Sequence, residues 1–531
     1  MNVSNFISDF AHENSGKPAI VALKDPLLGL GKKKREVCTF DELDKKINIY
    51  ANSFINNGIK KTDKVLIFIP PSIELMTTIF SLFKIGATPI LIDPGMGVDH
   101  LVNHIEAVEA DALIGVSKSL YLKKLKSKFF KTIKTAINVD GKLLGTSLDK
   151  IIKNQSNEFD AHDFKKDELA AILFTSGATG PAKGVEYTMG MFVAQTKQLK
   201  NTLNLVHSDR DLSGFPLFAL FSLSMGLTTY ITPSIDVAKP AATNPKKLVN
   251  DLIENKITFA NGSPSIWKVL IPYLKSKKKS IKTLKKLATF GAPVSHDLLK
   301  QLKEVLPDCE IYTPYGATES LPMTNISSTV ILGESYDLTK KGRGVCVGYP
   351  LNGVDIRIDG AMNFHGNPAG ELLVNSEMTS LSYYESPEIN SKTKKIINDK
   401  PYHRIGDMGY FDDWGRLWYL GRQTHTIYQD SHVLYPTSFE GAINAHTKVK
   451  KSALVQVEDQ ACMAIICQDD ITLGPVAQES FFNEIRVFSK KLVPIEQIKK
   501  FFLVESFPVD IRHNIKIDRP ALGLSLEGRQ D

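Results

Sequence analysis

The chain has 531 residues, too many for one hydrophobic core, so a large domain with at least one smaller companion is expected. Its 43% hydrophobic and 23% charged residues are ordinary for a globular protein, and no run of about eighteen apolar residues offers a transmembrane helix. The N-terminus lacks the basic-then-apolar order of a secretory signal.

A net charge of +7 gathers in lysine-rich stretches at 32–35, 123–134 and 275–286. Solvated loops and helix faces account for such runs, but Leu125, Phe129 and Phe130 would also suit the second stretch to peripheral contact with anionic lipid. No motif supports nucleic-acid binding. Cys38, Cys309, Cys346, Cys462 and Cys467 are scattered, with neither zinc nor disulfide spacing, which fits reduced thiols in the cytoplasm.

In chain order, Thr39 and Glu42 form a capping box for a helix whose apolar positions are Leu43, Ile47, Tyr50 and Ala51. A strand over 64–69 stops at Pro70-Pro71, and a helix over 74–84 follows. Residues 121–166 are polar and unpatterned, and are expected to form a peripheral connection before the sheet resumes at Leu169. Strand and helix alternate, which predicts α/β layers with a largely parallel sheet.

The apolar run 170–174 reads as a buried strand and breaks into Thr175-Ser-Gly-Ala-Thr-Gly-Pro-Ala-Lys-Gly184. Gly177, Gly180 and Gly184 permit close backbone approach, and successive N–H groups in such a turn suit an anion. Thr175, Ser176 and Thr179 add hydroxyls, and Lys183 adds a point charge. A surface turn is the plainer alternative. The spacing rules out a Walker A loop, because Lys183 follows an alanine and precedes a glycine.

Downstream, the aromatic run 215–222 reads as core, and 256–264 and 287–293 each read as a strand with a turn. In Tyr312-Thr-Pro-Tyr-Gly-Ala-Thr-Glu-Ser320, Tyr315 offers a flat face to a purine and Thr318 a hydroxyl to a phosphate. Glu319 offers a hard oxygen to Mg²⁺, although a tight turn alone would explain the stretch. Gly370-Glu-Leu-Leu-Val374 starts a strand, and Asp412-Asp-Trp-Gly415 reads as a hairpin turn. Beyond Arg422, strands at 452–457, 462–467 and 501–505 and a helix at 481–492 suffice for a small α+β lid. The expected domains are 1–421 and 422–531.

These motifs together resemble the AMP-forming adenylating superfamily of acyl-CoA synthetases, peptide-synthetase adenylation domains and firefly luciferase. The loop at 175–184 resembles its phosphate loop, and Tyr315-Gly316-Ala317-Thr318-Glu319 resembles its Y-G-x-T-E. The resemblance implies a large layered domain, a small mobile C-terminal domain, and ATP with Mg²⁺ as cofactors. It implies that Gly291, Ala292 and Pro293 line the adenine, on which Tyr315 stacks, and that Gly316 belongs to the same site. Glu319 would hold Mg²⁺, and Thr318 would meet phosphate or acyl carbonyl. Asp407 would hold the ribose hydroxyls, Arg422 would reach ribose and phosphate at the hinge, and Lys516 would be the catalytic lysine. Ala219, where the superfamily has histidine, implies a roomier and more apolar acyl entrance.

After the hinge, Thr424, His425, Tyr428 and Ser431 replace the pattern of CoA ligases. Strings at 187–195, 215–221, 312–322, 344–350 and 507–516 are similar instead to the β-lactone synthetases of bacterial long-chain olefin biosynthesis. That branch implies a long-chain 2-alkyl-3-hydroxy acid as substrate and other olefin-pathway enzymes as partners. His425 could be a base or a structural hinge residue. A long-chain acyl-CoA synthetase, with CoA as acceptor, and a non-catalytic nucleotide- and acyl-binding module are the alternatives.

Overall fold

The computed structural model describes residues 1–25, 33–92, 105–106, 108–141, 144–175, 183–469, 471, 474–510 and 515–529. Two seven-stranded sheets are stacked with helices between and outside them. One runs, in spatial order, Thr146–Ser147, Thr135–Asn138, Ala112–Gly115, Lys64–Phe68, Thr88–Ile92, Leu169–Thr175 and Lys183–Thr188. All neighbours are parallel except the last pair. The other sheet is parallel except at its Lys34–Thr39 edge, and it carries Lys286–Thr289 beside Glu310–Tyr312.

The alternation of side chains builds the layers. In Lys64–Phe68, Val65 and Ile67 enter the core shared by the two sheets, while Leu66 enters the core on the outer face. Strands covered on both faces carry near-continuous apolar runs, as residues 89–92 do in the fully buried strand Thr88–Ile92. The predicted helix after Thr39 spans Phe40–Asn56 with its capping box formed, and Ile73–Ile85 follows the predicted strand.

Residues 121–166 depart from expectation. They contain the second half of the helix Ser117–Leu125 and the strands Thr135–Asn138 and Thr146–Ser147, and these strands extend the sheet rather than merely leading back to it. Strands this short, the last at the sheet edge and the other next to it, leave little room for patterning. Lys33 is another departure from the solvated reading, because its ammonium pairs with Asp251 at 2.7 Å in a largely buried network with Ser234.

A third, antiparallel sheet contains the hairpin strands Tyr315–Ala317 and Ser320–Asn325, and also Asn367–Asn375, Lys400–Phe411 and Leu417–Arg422. Gly370 lies inside its strand rather than at the start, where a Cβ would meet the Asp359 carbonyl at 2.4 Å. The turn read at 412–415 joins the strands ending at Phe411 and starting at Leu417. The C-terminal portion has a three-stranded sheet, Val449–Val457, Gln460–Cys467 and Lys500–Leu503, with cores on both faces. No disulfide joins the five cysteines. No helix among the described residues is long and apolar enough to cross a membrane.

Candidate active site

The site gathers where the parallel strands end and the antiparallel sheet begins. Leu169–Thr175 ends at Thr175 and Lys183–Thr188 returns antiparallel, with Lys183 opposite Thr175. The return as a strand, not a helix, agrees with the exclusion of a Walker A loop. Ser176, Gly177, Thr179 and Gly180 lie outside the described residues, as does the side chain of Thr175.

Gly291, Ala292 and Pro293 follow Lys286–Thr289, and Thr313-Pro314 follows the parallel neighbour Glu310–Tyr312, so both turns leave the same sheet edge. In open α/β sheets that edge is where ligands bind. Gly291 takes a φ of +87°, which its lack of a Cβ permits. Thr318 and Glu319 form the two-residue tip of a hairpin, since Ala317 pairs with Ser320. Gly316 is required there, because a Cβ would meet the Ser320 carbonyl at 2.3 Å.

Asp407 is 6% exposed and opposes Arg422 across paired strands. Tyr315 donates its hydroxyl to Asp407 Oδ2 at 2.6 Å. The other oxygen, Oδ1, lies 3.1 Å from Arg422 Nη1 yet has no hydrogen bond among the described residues. A buried acceptor left open in this way suits a hydroxyl donor from outside the chain. Burial pushes the Asp407 carboxyl up, while Arg422, Tyr315 and Lys516 hold it down. The Lys516 charge thus reaches Asp407 from the C-terminal portion. Asp510 shapes the segment by accepting the N–H groups of Ile515 at 3.1 Å and Lys516 at 2.7 Å.

Behind Glu319 stands a group that sequence reading missed. Tyr383 donates to Glu319 Oε1 at 2.5 Å, and His403 Nε2 lies 3.3 Å from the same hydroxyl. Lys183 Nζ sits 5.1 Å from the Tyr383 ring centroid. Burial pushes His403 down, so it is neutral near pH 7. The placement of Tyr383 is tertiary: the 382–384 stretch pairs with Lys183–Thr188 through Glu186 N–H to Ser382 O and Tyr384 N–H to Gly184 O. No spacing signals it. Tyr187 and Gln195, inside a string already singled out, hold the hairpin by donating to the carbonyls of Thr318 at 2.7 Å and Leu321 at 2.6 Å.

Ala219 is 1% exposed and packed in the core. Half-buried Phe215, Phe221 and Phe290, not an opening at Ala219, form the aromatic edge beside Tyr312. The carboxylate of Glu319 has one oxygen taken by Tyr383 and the other without a hydrogen bond among the described residues. No cluster of three metal-ligating side chains occurs among them. That donor set fits Mg²⁺, which keeps waters and substrate phosphates, and not an all-protein cage.

The sequence profile of AMP-binding enzymes matches residues 8–384. The chain belongs to the AMP-binding enzyme family. It is 31% identical to an olefin beta-lactone synthetase of Xanthomonas campestris pv. campestris over 92% of this chain and 90% of that protein. An olefin beta-lactone synthetase of Stenotrophomonas maltophilia is 30% identical over 91% and 90%. A 4-coumarate-CoA ligase 1 of Narcissus pseudonarcissus is 22% identical over 85% and 82%. Among solved structures, the anthranilate CoA ligase AuaEII in complex with anthranoyl-AMP superposes with a TM-score of 0.78, covering 99% of this chain and 97% of that one at 17% identity. At that identity the likeness speaks for the fold. This AMP-binding enzyme is therefore an AMP-forming ligase with a conventional architecture.

Two tests arise from this geometry. In Tyr383→Phe the ring stays beneath Lys183 but the hydrogen bond to a charged carboxylate is lost, which costs about 1.5–3 kcal/mol. The Mg²⁺ concentration for half-maximal ATP–pyrophosphate exchange is expected to rise roughly tenfold or more. An unchanged Mg²⁺ dependence would show that Tyr383 does not orient Glu319. His425 is pushed down from 6.5 to about 4, first by burial and then by Arg519 and Arg422. The unfolded chain therefore binds the extra proton between those values, and folding stability falls as pH drops from 6.5 towards 4. His425→Gln is expected to flatten that part of the stability profile in denaturant titrations, and an unaltered slope would refute the assignment.

Proposed function

We propose that this enzyme adenylates a long-chain 2-alkyl-3-hydroxy fatty acid and then closes it to a β-lactone. The observation that carries this reading is the 31% and 30% identity to two olefin beta-lactone synthetases over nine-tenths of each chain. In the first step a carboxylate oxygen attacks the α-phosphorus of ATP, and the bond to pyrophosphate breaks. In the second the 3-hydroxyl oxygen attacks the acyl carbon, the bond to AMP breaks, and the hydroxyl proton leaves.

Asp407 Oδ1 would accept a ribose hydroxyl, with Arg422 reaching ribose and phosphate. Tyr315 and the turn Gly291–Pro293 would face the adenine. Thr175, Ser176, Gly177, Thr179, Gly180 and Lys183 would cradle the phosphates, and Thr318 would contact the α-phosphate. Mg²⁺ held by Glu319 would neutralise phosphate charge. Lys516 would stabilise the negative charge developing between carboxylate and α-phosphate. Its ammonium already acts on Asp407, which supports closure of residues 422–531 as a lid over the site. His425 is neutral above about pH 4 and so able to take the hydroxyl proton, but its reluctance to become charged makes it a weak base. Its loss should slow lactone closure less than tenfold. Cysteines that form no disulfide support a cytoplasmic setting, beside the other enzymes of olefin biosynthesis.

The second reading, a long-chain acyl-CoA ligase, is favoured by the more distant CoA-ligase relatives. Thr424, His425, Tyr428 and Ser431 weigh against it. Intramolecular attack needs only a bound conformer with hydroxyl near acyl carbon, not a channel for a thiol. The test is a product assay with ATP, Mg²⁺ and a racemic 2-alkyl-3-hydroxy fatty acid, with and without CoA. Lactone and AMP are expected at equal rates in both. Thioester formed only with CoA, from palmitate as well, would replace the lactone reading with the ligase.

A further inference from the structure

The stretch 117–134 holds seven lysines and no acidic residue. Its fold sorts the side chains. Leu120 and Phe130 are buried, at 4% and 3% exposed, in the outer core of the first sheet, so Phe130 is unavailable to a partner. Tyr121 and Leu125 point outward, at 55% and 64% exposed. In the helix Ser117–Leu125, residues 118, 121 and 125 share a face by their three- and four-residue spacing. Lys118, Tyr121 and Leu125 therefore form one outward ridge, continued by exposed Lys124, Lys126 and Lys128. Among the described residues, the acidic contacts lie at the ends of the stretch, where Asp140 accepts from Ser117 N–H at 3.1 Å and Asp111 lies 4.0 Å from Lys134.

We propose that this ridge docks the enzyme on an anionic lipid bilayer. Positive charge without local neutralisation complements anionic headgroups, and Tyr121 and Leu125 supply the apolar anchor that stable peripheral attachment needs as a second signal. A nucleic acid would use the lysines but has no use for an exposed leucine.

Topology sets the orientation. The strands Ala112–Gly115 and Thr135–Asn138 are parallel neighbours, and both run in the direction of Leu169–Thr175. The connecting helix must therefore travel back, leaving Leu125 and the turn Ser127–Phe130 at the sheet edge opposite Thr175. Docking there leaves the edge at Thr175 facing away from the bilayer. The inference stands on charge and exposure and is independent of which acyl acceptor the enzyme uses.

The test is flotation of the full chain with vesicles of phosphatidylcholine alone or with about one-third phosphatidylglycerol. Binding is expected only with the anionic lipid and should weaken as salt rises. Each lysine near the surface contributes roughly fivefold, so Lys124→Glu/Lys126→Glu/Lys128→Glu should lower the partition coefficient at least about a hundredfold. Leu125→Ser with Tyr121→Ser should lower it while leaving ATP–pyrophosphate exchange with detergent-dispersed acid unchanged. Equal binding to both vesicle types, indifference to the charge reversals, no flotation at all, or retention by RNA but not by vesicles would each overturn the proposal.

Discussion

Lys516→Ala is expected to slow acyl-adenylate formation on the order of 10²–10³-fold, measured as ATP–pyrophosphate exchange, with the fold intact. The reason is electrostatic. Attack of a carboxylate on the α-phosphorus gathers negative charge, and a donor fixed where that charge develops is worth several kcal/mol, about 2.7–4 in comparable cases. Lys516 is held for that task by Asp510, which binds the backbone of residues 515 and 516, and it already influences the carboxyl of Asp407. Lys516 is half-buried, so its removal leaves no large cavity. Exchange within about threefold of the parent enzyme would remove Lys516 from the chemistry.

Asp407→Ala is the second large effect. The carboxylate is 6% exposed, takes the Tyr315 hydroxyl at 2.6 Å, lies 3.1 Å from Arg422, and keeps one oxygen open. Its removal deletes the proposed ribose contact and leaves buried partners unmatched, at about 1–3 kcal/mol for each such group. The KM for ATP should rise and kcat/KM fall by at least about a hundredfold, on the order of two hydrogen bonds to a charged group. Asp407→Asn separates the two roles: its amide oxygen still accepts from Tyr315, so the melting temperature should largely recover while activity does not. Recovery of activity in the asparagine variant would show that the charge, and hence the proposed ribose role, is dispensable.

The parallel α/β layers were legible because their strands are apolar on both faces and their helices carry caps, as at Thr39 with Glu42. The short strands at 135–138 and 146–147 were not, because four and two residues at the margin of a sheet are too few to set a pattern. The same limit applied to charge. Lysines in a run look alike, yet Lys33 is paired in the interior while Lys126 is exposed.

The sequence by itself determined the family, and with it the class of AMP-forming ligases. The run at 175–184 and Tyr315-Gly316-Ala317-Thr318-Glu319 are short strings whose residue types are legible without the fold. The tertiary structure alone decided what holds them. Tyr383 reaches Glu319 because the 382–384 stretch pairs with Lys183–Thr188, and Tyr187 reaches Thr318 from that same strand. Hydrogen-bond partners so far apart along the chain leave no trace in periodicity or composition; only the packing of the sheets brings them within 3 Å.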